Sequence, residues 1–124
     1  MKKIILISLT VIAFIAISCT EDYSDPKVLS GTTWRCSSFP VIDGSNNLYD
    51  YAELQFISTT QVQAWEKPKD GPLFKSGSAS YMISNKTITF FDPESDENIS
   101  ITGVIDNKKI TILNNGYSFI YIKQ

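Results

Sequence analysis

The chain has 124 residues, of which 43% are hydrophobic, and a formal net charge of −2 at pH 7. It contains no histidine, which excludes histidine metal ligands, Ser-His-Asp and Cys-His catalysis, and the usual proton shuttle at neutral pH. The acidic balance and the lack of a Lys/Arg cluster argue against nucleic-acid binding. We therefore expect a non-enzymatic protein that uses no cofactor.

The N-terminal segment has the pattern of an export signal. Two lysines follow the first methionine, and an apolar run of about 14 residues, Ile4 to Ile17, comes next. A membrane-spanning helix needs roughly 20 apolar residues, so this run is short for a retained anchor. Ser18, a small residue, precedes Cys19. The pattern predicts a signal peptide over residues 1–18, with a plain secretory signal and a retained membrane helix as alternatives.

The residues around Cys19 resemble the lipobox of bacterial lipoproteins, in which a cysteine directly after a small residue is lipidated. The resemblance implies a membrane anchor at Cys19. Glu21 and Asp22 resemble the acidic export signal of Bacteroidetes-type surface lipoproteins, which implies an outer-membrane protein on the cell surface; a periplasm-facing position is the alternative. Residues 19–29 are predicted to form an acidic tether, and residues 30–124 the β domain.

The rest of the chain has the composition of strands and turns. Short runs rich in Ile, Thr, Phe, Tyr and Val are separated by Gly, Asn, Asp, Pro and Ser, and no stretch shows a sustained helical period. The pattern predicts eight strands, which are Thr32–Phe39, Tyr51–Ser58, Gln61–Glu66, Ser78–Ser84, Thr87–Phe91, Asn98–Ile105, Lys109–Leu113 and Tyr117–Lys123.

The first strand carries the second cysteine. Alternation places Trp34 and Cys36 on one face and Arg35 on the other. With Cys19 lipidated, Cys36 has no cysteine left to pair with inside the chain. A thiol in an apolar setting without a base stays protonated and inert. We interpret Cys36 as a buried structural residue, with a reactive or intermolecular thiol as the alternative.

Two acidic residues, Glu53 and Glu66, fall inside predicted strands. Ala52, Leu54 and Phe56 share one face of the second strand, so Glu53 is expected to face solvent on the other. Nothing in the sequence places Glu66 beside it. This argues against the carboxylate pair that glycoside hydrolysis requires.

Two long connections, Pro40–Asp50 and Lys67–Gly77, are the best candidates for recognition, because loops on a rigid scaffold form most variable binding surfaces. The second contains the conspicuous apolar pair Leu73 and Phe74. Either this pair caps an open barrel end and is buried, or it joins nearby aromatic residues in a platform for a ligand or protein. The predicted ligand-binding residues are Tyr49, Tyr51, Trp65, Leu73 and Phe74.

Four acidic residues cluster between residues 92 and 97, in the connection before the sixth strand. The carboxylates of Asp92, Glu94 and Asp96 alternate and would reach one Ca²⁺ ion. Glu97, however, stands where an EF-hand loop needs glycine. We interpret the cluster as a solvated hairpin tip and predict no metal site; a weak calcium site is the alternative.

Short polar turns, such as Asn114–Gly116, predict that consecutive strands pair as a meander. Eight such strands are enough to close an up-and-down barrel, and a two-sheet sandwich is the alternative. In the sixth strand, Gly103 predicts a bulge or a close backbone approach. The last strand has Tyr117, Phe119 and Tyr121 on one face and isoleucines on the other, so either both faces are covered or one meets a partner.

A set of apolar, glycine and threonine residues recurs along the predicted strands: Leu29, Gly31, Thr32, Thr33, Trp34, Tyr51, Leu54, Phe56, Tyr81, Ile83, Ile88, Phe90 and Phe119. On these residues the domain resembles the small lipocalin-like domains of Bacteroidetes-type lipoproteins, and less closely META-type domains. The resemblance implies an all-β, eight-stranded barrel. A barrel of this size is nearly filled by its own side chains, so any pocket is expected to be small and near a mouth.

The predicted function follows from the predicted membrane anchor and the predicted fold together. We expect a lipid-anchored cell-envelope protein whose barrel binds a small ligand, a glycan or an apolar molecule, at its loop end. The alternative is a protein-interaction module on the outer membrane, an accessory subunit or inhibitor, that binds an envelope protein through the long loops or the last strand.

Overall fold

A computed structural model describes residues 21–37, 49–97, 99–114 and 116–124. The predicted signal peptide, Cys19 and most of the first long connection lie outside these residues. Within the described part, no helix is long and apolar enough to cross a membrane. The described elements are helix α1 Pro26–Leu29 and strands β1 Thr33–Cys36, β2 Tyr49–Phe56, β3 Gln61–Pro68, β4 Phe74–Ser84, β5 Thr87–Phe91, β6 Ser100–Asp106, β7 Lys109–Asn114 and β8 Tyr117–Lys123.

The eight described strands form a closed antiparallel barrel in which each strand pairs with the next in sequence. The ring closes where β8 pairs with β1, with Trp34 opposite Lys123 and Arg35 opposite Ile122. Closure pairs the two strands that would otherwise be the edges of the sheet. The predicted up-and-down barrel is confirmed, and the alternative of a two-sheet sandwich is wrong.

The hairpin formed by β3 and β4 is longer than predicted. β3 continues to Pro68 and β4 begins at Phe74, so the predicted Lys67–Gly77 loop is wrong and is mostly paired strand. Trp65 pairs with Lys75 there, after a register shift. This part of the hairpin is largely exposed on β4, so it lacks the alternation of apolar and polar residues that identifies half-buried strands.

Tight turns join several strands as the sequence predicted. Asn85 and Lys86, between β4 and β5, have φ values of 48° and 68°, as both central residues of a type I′ turn require. Asn107 has a φ of 55° and Gly116 a φ of 81° in the turns that flank β7. These short connections force neighbouring strands to run antiparallel.

The two ends of the barrel differ. At one end, called the closed end, lie the β2–β3, β4–β5 and β6–β7 turns, and the segment that contains α1 runs across it. Asp25 accepts a hydrogen bond from the backbone N–H of Lys27 and so caps α1. Leu29 is fully buried, and the Tyr23 ring meets the Trp34 ring edge-on at 5.4 Å between centroids. The core therefore includes residues of the predicted tether.

At the opposite end, called the open end, β1 ends and β2 begins, and the β3–β4 loop and the β5–β6 connection lie there. The best buried side chains lie towards the closed end, because β1, β5 and β7 begin there and contribute large apolar residues near their starts. These side chains are Leu29, Trp34, Phe56, Ile88 and Ile110, whereas Cys36, at the other end of β1, is also fully buried.

Candidate functional site

A cavity of about 390 Å³ lies inside the barrel towards the open end. Ligand pockets commonly measure roughly 300–1,000 Å³, so this cavity suits a small molecule. Its exposed rim residues include Ser76 and Asn114, at the open-end termini of β4 and β7. The lining residues are Leu54, Val62, Ala64, Ser76, Gly77, Ser78, Ala79, Phe90, Ile101, Ile112, Asn114, Phe119 and Tyr121.

The cavity exists because one wall carries small residues. Ala64 on β3 and Gly77 and Ala79 on β4 line it, where the other strands contribute Leu, Ile, Phe and Tyr. A Cβ atom placed on Gly77 would have no heavy atom within 4 Å. An eight-stranded barrel is otherwise nearly filled by its side chains. The small side chains at these three positions on adjacent strands therefore leave a space that the side chains of the opposite wall do not fill.

Aromatic rings separate the cavity from the closed end. Phe90 lines the cavity and lies 6.5 Å, between ring centroids, from Phe56, which meets the Tyr81 ring edge-on at 5.1 Å. The Tyr81 hydroxyl donates a hydrogen bond of 2.7 Å to the Ser58 carbonyl. Burial raises the pKa of Tyr81 to about 12. The floor of the cavity is thus aromatic and uncharged at physiological pH.

The wall of the cavity includes the side chain of Tyr121, which carries a hydroxyl group. Burial raises the pKa of Tyr121, and the nearby Cys36 and Glu66 raise it further. Glu66 lies opposite Ala52 on neighbouring strands, so its side chain shares the inner face of the barrel with buried Ala52. Tyr121 therefore stays protonated and provides a hydrogen-bond donor in a wall that is mainly apolar.

The five predicted ligand-binding residues are all described, and none of them is among the lining residues of this cavity. Tyr51 and Trp65 lie on the outer face, where the Arg35 guanidinium carbon is 3.9 Å from the Tyr51 ring centroid. Trp65 donates a hydrogen bond from Nε1 to Gln63. Phe74 lies opposite Glu66, on the inner side of the hairpin. The predicted residues are thus divided between two faces.

The Leu73–Phe74 pair covers the barrel end only in part. Phe74 is 42% exposed, so the alternative in which the Leu73–Phe74 pair is buried is wrong for Phe74, while Leu73 is half-buried. Tyr49 is also half-buried and pairs with Pro68 at the end of β3. These residues surround the open end rather than the cavity itself.

The cavity residues were missed because alternation identifies inward positions without showing which of them meet empty space. One signal was present in the sequence. Ala64, Gly77 and Ala79 are small residues in neighbouring strands, and a barrel interior lined by small residues on adjacent strands has room left in it. Gly77 falls in the predicted Lys67–Gly77 loop, so the sequence does not show that all three small residues lie on strands.

Glu53 is buried, and the expectation that it faces solvent is wrong. Its side chain is 5% exposed, and its Oε1 accepts hydrogen bonds from Arg35 Nη2 at 2.7 Å and Nε at 3.1 Å. Gln55 donates to the other carboxylate oxygen at 3.1 Å. Neighbouring long side chains cover the outward position, as the stacking of Arg35 on Tyr51 shows. Glu53 is therefore held in a structural ion pair.

Glu53 and Glu66 do not form a carboxylate pair. Glu53 lies opposite Trp65 and on the outer face, while Glu66 lies opposite Ala52 and on the inner face. The two side chains therefore lie on opposite faces of the sheet. Cys36 is fully buried, as predicted from the strand face that it shares with Trp34.

The acidic connection between β5 and β6 is exposed over its described residues, 92–97. Asp92 accepts a hydrogen bond from the backbone N–H of Glu94 at 3.0 Å, and its carbonyl accepts one from Ser95. Over the described residues, no group of three or more His, Cys, Asp or Glu side chains is placed to hold a metal ion. The geometry is that of a solvated hairpin tip.

The two residues of the predicted export signal are exposed beside the closed end. Glu21 accepts a hydrogen bond of 2.7 Å from the Tyr23 hydroxyl. Asp22 accepts hydrogen bonds from the side chain and backbone of Ser24, which lower the pKa of Asp22. Both side chains are exposed, and the lowered pKa of Asp22 keeps its carboxylate charged at neutral pH.

A second surface feature is an outer apolar face on β6, β7 and β8, defined by Val104, Leu113, Ile120 and Ile122. All four side chains are exposed. Val104, Thr111 and Ile120 form one row across the three strands. Contiguous exposed apolar residues are typical of interaction surfaces. The last strand thus has one face in the barrel and one in solvent.

Comparison of the chain with protein-family models, with curated proteins and with solved structures found no match.

Proposed function

We propose that this protein is a non-enzymatic, lipid-anchored protein of the cell envelope whose barrel binds a small apolar molecule at its open end. The observation that carries the proposal is the cavity of about 390 Å³ with mainly apolar walls. The pattern at Cys19, Glu21 and Asp22 supports the anchor and display at the outer surface of the outer membrane.

The walls of the cavity favour an apolar ligand over a glycan. Burial of a polar group without a hydrogen-bond partner costs roughly 1–3 kcal/mol in proteins. A sugar carries several hydroxyl groups, whereas the lining residues with polar side chains are Tyr121, Ser78 and, at the rim, Ser76 and Asn114. An apolar molecule with one or two polar atoms leaves no such group unpaired. The small volume also excludes a large lipid.

A cavity-filling substitution tests this proposal. Ala64→Leu adds three carbon atoms to the small-residue wall, so we expect at least a tenfold loss of affinity for an apolar naphthylamine dye whose fluorescence reports binding. Thr111→Leu, on the outer face, is the matched control and should bind the dye like the parent protein. Thermal unfolding verifies that both variants are folded. Equal dye affinity in folded Ala64→Leu protein would contradict binding in this cavity.

The anchor is tested separately from the ligand. Cys19→Ser should abolish lipid attachment and release the protein from the membrane fraction, as detected by metabolic labelling with a fatty-acid analogue. Replacement of Glu21 and Asp22 by Ala should reduce digestion by protease added to intact cells, with Asp25→Ala as a control. Normal membrane attachment of Cys19→Ser would refute the lipoprotein assignment.

A second candidate function is a protein-interaction module, an accessory subunit or inhibitor on the outer membrane. The outer apolar face supports it, because Ile120 and Ile122 expose 42% and 46% of their surface on the last strand. Ile120→Ser/Ile122→Ser should release any envelope protein that crosslinks to the parent chain on intact cells, with dye binding unchanged. An unaltered crosslinking pattern would count against this face.

A further inference from the structure

The folded domain begins very close to Cys19. The carbonyl of Asp22 accepts a hydrogen bond of 3.1 Å from the backbone N–H of Asp25, and the next residue, Tyr23, is 5% exposed and packs on Trp34. The predicted tether is therefore docked on the closed end of the barrel from Asp22 onward.

The connection between Cys19 and Asp22 is too short for the open end of the barrel to reach the membrane at Cys19. Only Thr20 and Glu21 separate Cys19 from Asp22, and an extended chain spans at most about 3.6 Å per residue, so Cys19 lies within roughly 11 Å of Asp22 in any conformation. A strand of seven residues, such as β8, is about 23 Å long. The open end is thus farther from Cys19 than the connection can reach.

The described residues at the two ends of the barrel also differ in charge, and this difference favours a closed end that faces the membrane. The closed end carries five lysines, Lys27, Lys86, Lys108, Lys109 and Lys123, with four acidic residues, Glu21, Asp22, Asp25 and Asp106. The open end carries seven acidic residues, Asp50, Glu66, Asp70, Asp92, Glu94, Asp96 and Glu97, with three lysines, Lys67, Lys69 and Lys75. Anionic headgroups attract lysines and repel carboxylates.

We infer that the lipidated protein stands on the membrane with its closed end against the headgroups and its cavity facing away from the bilayer. The inference rests on lipidation of Cys19, which belongs to the proposed function. It also specifies the ligand further. A cavity whose mouth opens on the side away from the membrane takes its ligand from the aqueous phase, so the ligand is a small apolar molecule that dissolves in water as a monomer, and bilayer lipid is excluded.

Quenching by labelled lipid tests the orientation. The lipidated protein is reconstituted in anionic vesicles that contain a nitroxide-headgroup lipid, with a fluorophore on Thr59→Cys at the closed end or Asp70→Cys at the open end. Cys36 is fully buried and should not react with the label. We expect several-fold stronger quenching at residue 59 than at residue 70. Equal quenching, or stronger quenching at residue 70, would overturn the inference.

The source of the ligand is tested by transfer of the naphthylamine dye from preloaded vesicles. Anchored protein should acquire the dye at the rate of soluble Cys19→Ser protein at the same concentration, because both collect it from water. Faster transfer to anchored protein would show collection from the bilayer and contradict the inference. Mass spectrometry of the N-terminal peptide and dye binding in detergent report lipidation and the cavity independently, so failure of the proposed function is distinguished from a wrong orientation.

Discussion

At the scale of single residues, the outer surface of the barrel contains a buried charge. Glu53 is covered by Arg35, Gln55 and Tyr51, and each of its oxygens accepts a hydrogen bond. A buried carboxylate is tolerated only with such partners, since removal of one partner leaves an uncompensated charge. The sequence showed that Glu53 points outward. It did not show that Gln55 on the same strand and Arg35 on β1 would bind the carboxylate and bury it.

Arg35→Met is expected to lower the free energy of unfolding by roughly 1–3 kcal/mol, because it leaves the Glu53 carboxylate buried without its cation. Lys67→Met is the matched control, since Lys67 lies 3.7 Å from the half-exposed carboxylate of Asp50 and such pairs contribute at most about 1 kcal/mol. Urea unfolding measures both, and the double variant Arg35→Met/Glu53→Gln should recover part of the loss. Similar losses in the two single variants would contradict a specific role for the buried pair.

Tyr81 provides a test at alkaline pH. Burial raises its pKa from 10.0 to about 12 in the folded protein, so the hydroxyl ionises first in unfolded chains. Its contribution to stability is therefore constant below pH 10 and is lost as the pH rises from 10 towards 12. Tyr81→Phe should show a smaller fall in unfolding free energy over this range, with exposed Tyr117→Phe as the control. Identical pH profiles for parent and Tyr81→Phe would refute it.

At the scale of elements, β6 and β7 approach each other closely at Gly103. A Cβ there would lie 3.0 Å from both the Ile112 Cγ1 atom and the Thr111 carbonyl oxygen. The close approach predicted for Gly103 is confirmed, and the strand pairing on both sides of it runs without a register shift. The absence of a side chain is what lets Ile88 and Ile112 fill this part of the core.

Gly103→Ala is expected to lower the unfolding free energy by roughly 1–3 kcal/mol, the usual cost of overpacking a core. Gly77→Ala is the matched control: its Cβ meets nothing within 4 Å and its φ is not positive, so the substitution should be neutral or stabilising by up to about 1 kcal/mol. Chemical denaturation of the two variants measures the contrast. A loss at Gly77 as large as that at Gly103 would mean that neither effect reflects local space.

At the scale of the whole molecule, the two ends of the barrel have different roles. The segment from Asp22 to Leu29 closes one end and completes the core around Trp34. The other end holds the cavity, whose small residues on β3 and β4 sit where longer side chains would close it. One barrel thus has its stability concentrated at the end near the predicted anchor and its binding space at the far end.

Leu29→Ala should lower the unfolding free energy by about 2–5 kcal/mol, because it removes a fully buried side chain from the closed end. Leu113→Ala makes the same chemical change on the exposed outer face and should cost less than about 0.5 kcal/mol. Scanning calorimetry of both variants provides the measurement. A near-neutral Leu29→Ala would show that the closed end contributes little to the fold.

Most of the fold could be predicted because strand and turn signals are local. Alternation around Leu54 and Phe56 identified the inner face of β2, and Asn114–Gly116 marked a turn in which Gly116 has a positive φ. The candidate site could not be predicted in the same way. A cavity depends on which side chains are missing around a closed ring, and residues such as Ala64 and Phe119, far apart in sequence, line it together.

The all-β class, the order and number of the strands, their meander, and the pattern at Cys19 that predicts an anchor can all be derived from the amino-acid sequence. These features follow from local composition, period and turn chemistry. The burial of Tyr23, Leu29 and Glu53, and the empty space near one mouth of the barrel, depend instead on the folded structure. Burial and cavity volume are properties of residues brought together from distant parts of the chain, and no single stretch of sequence contains them.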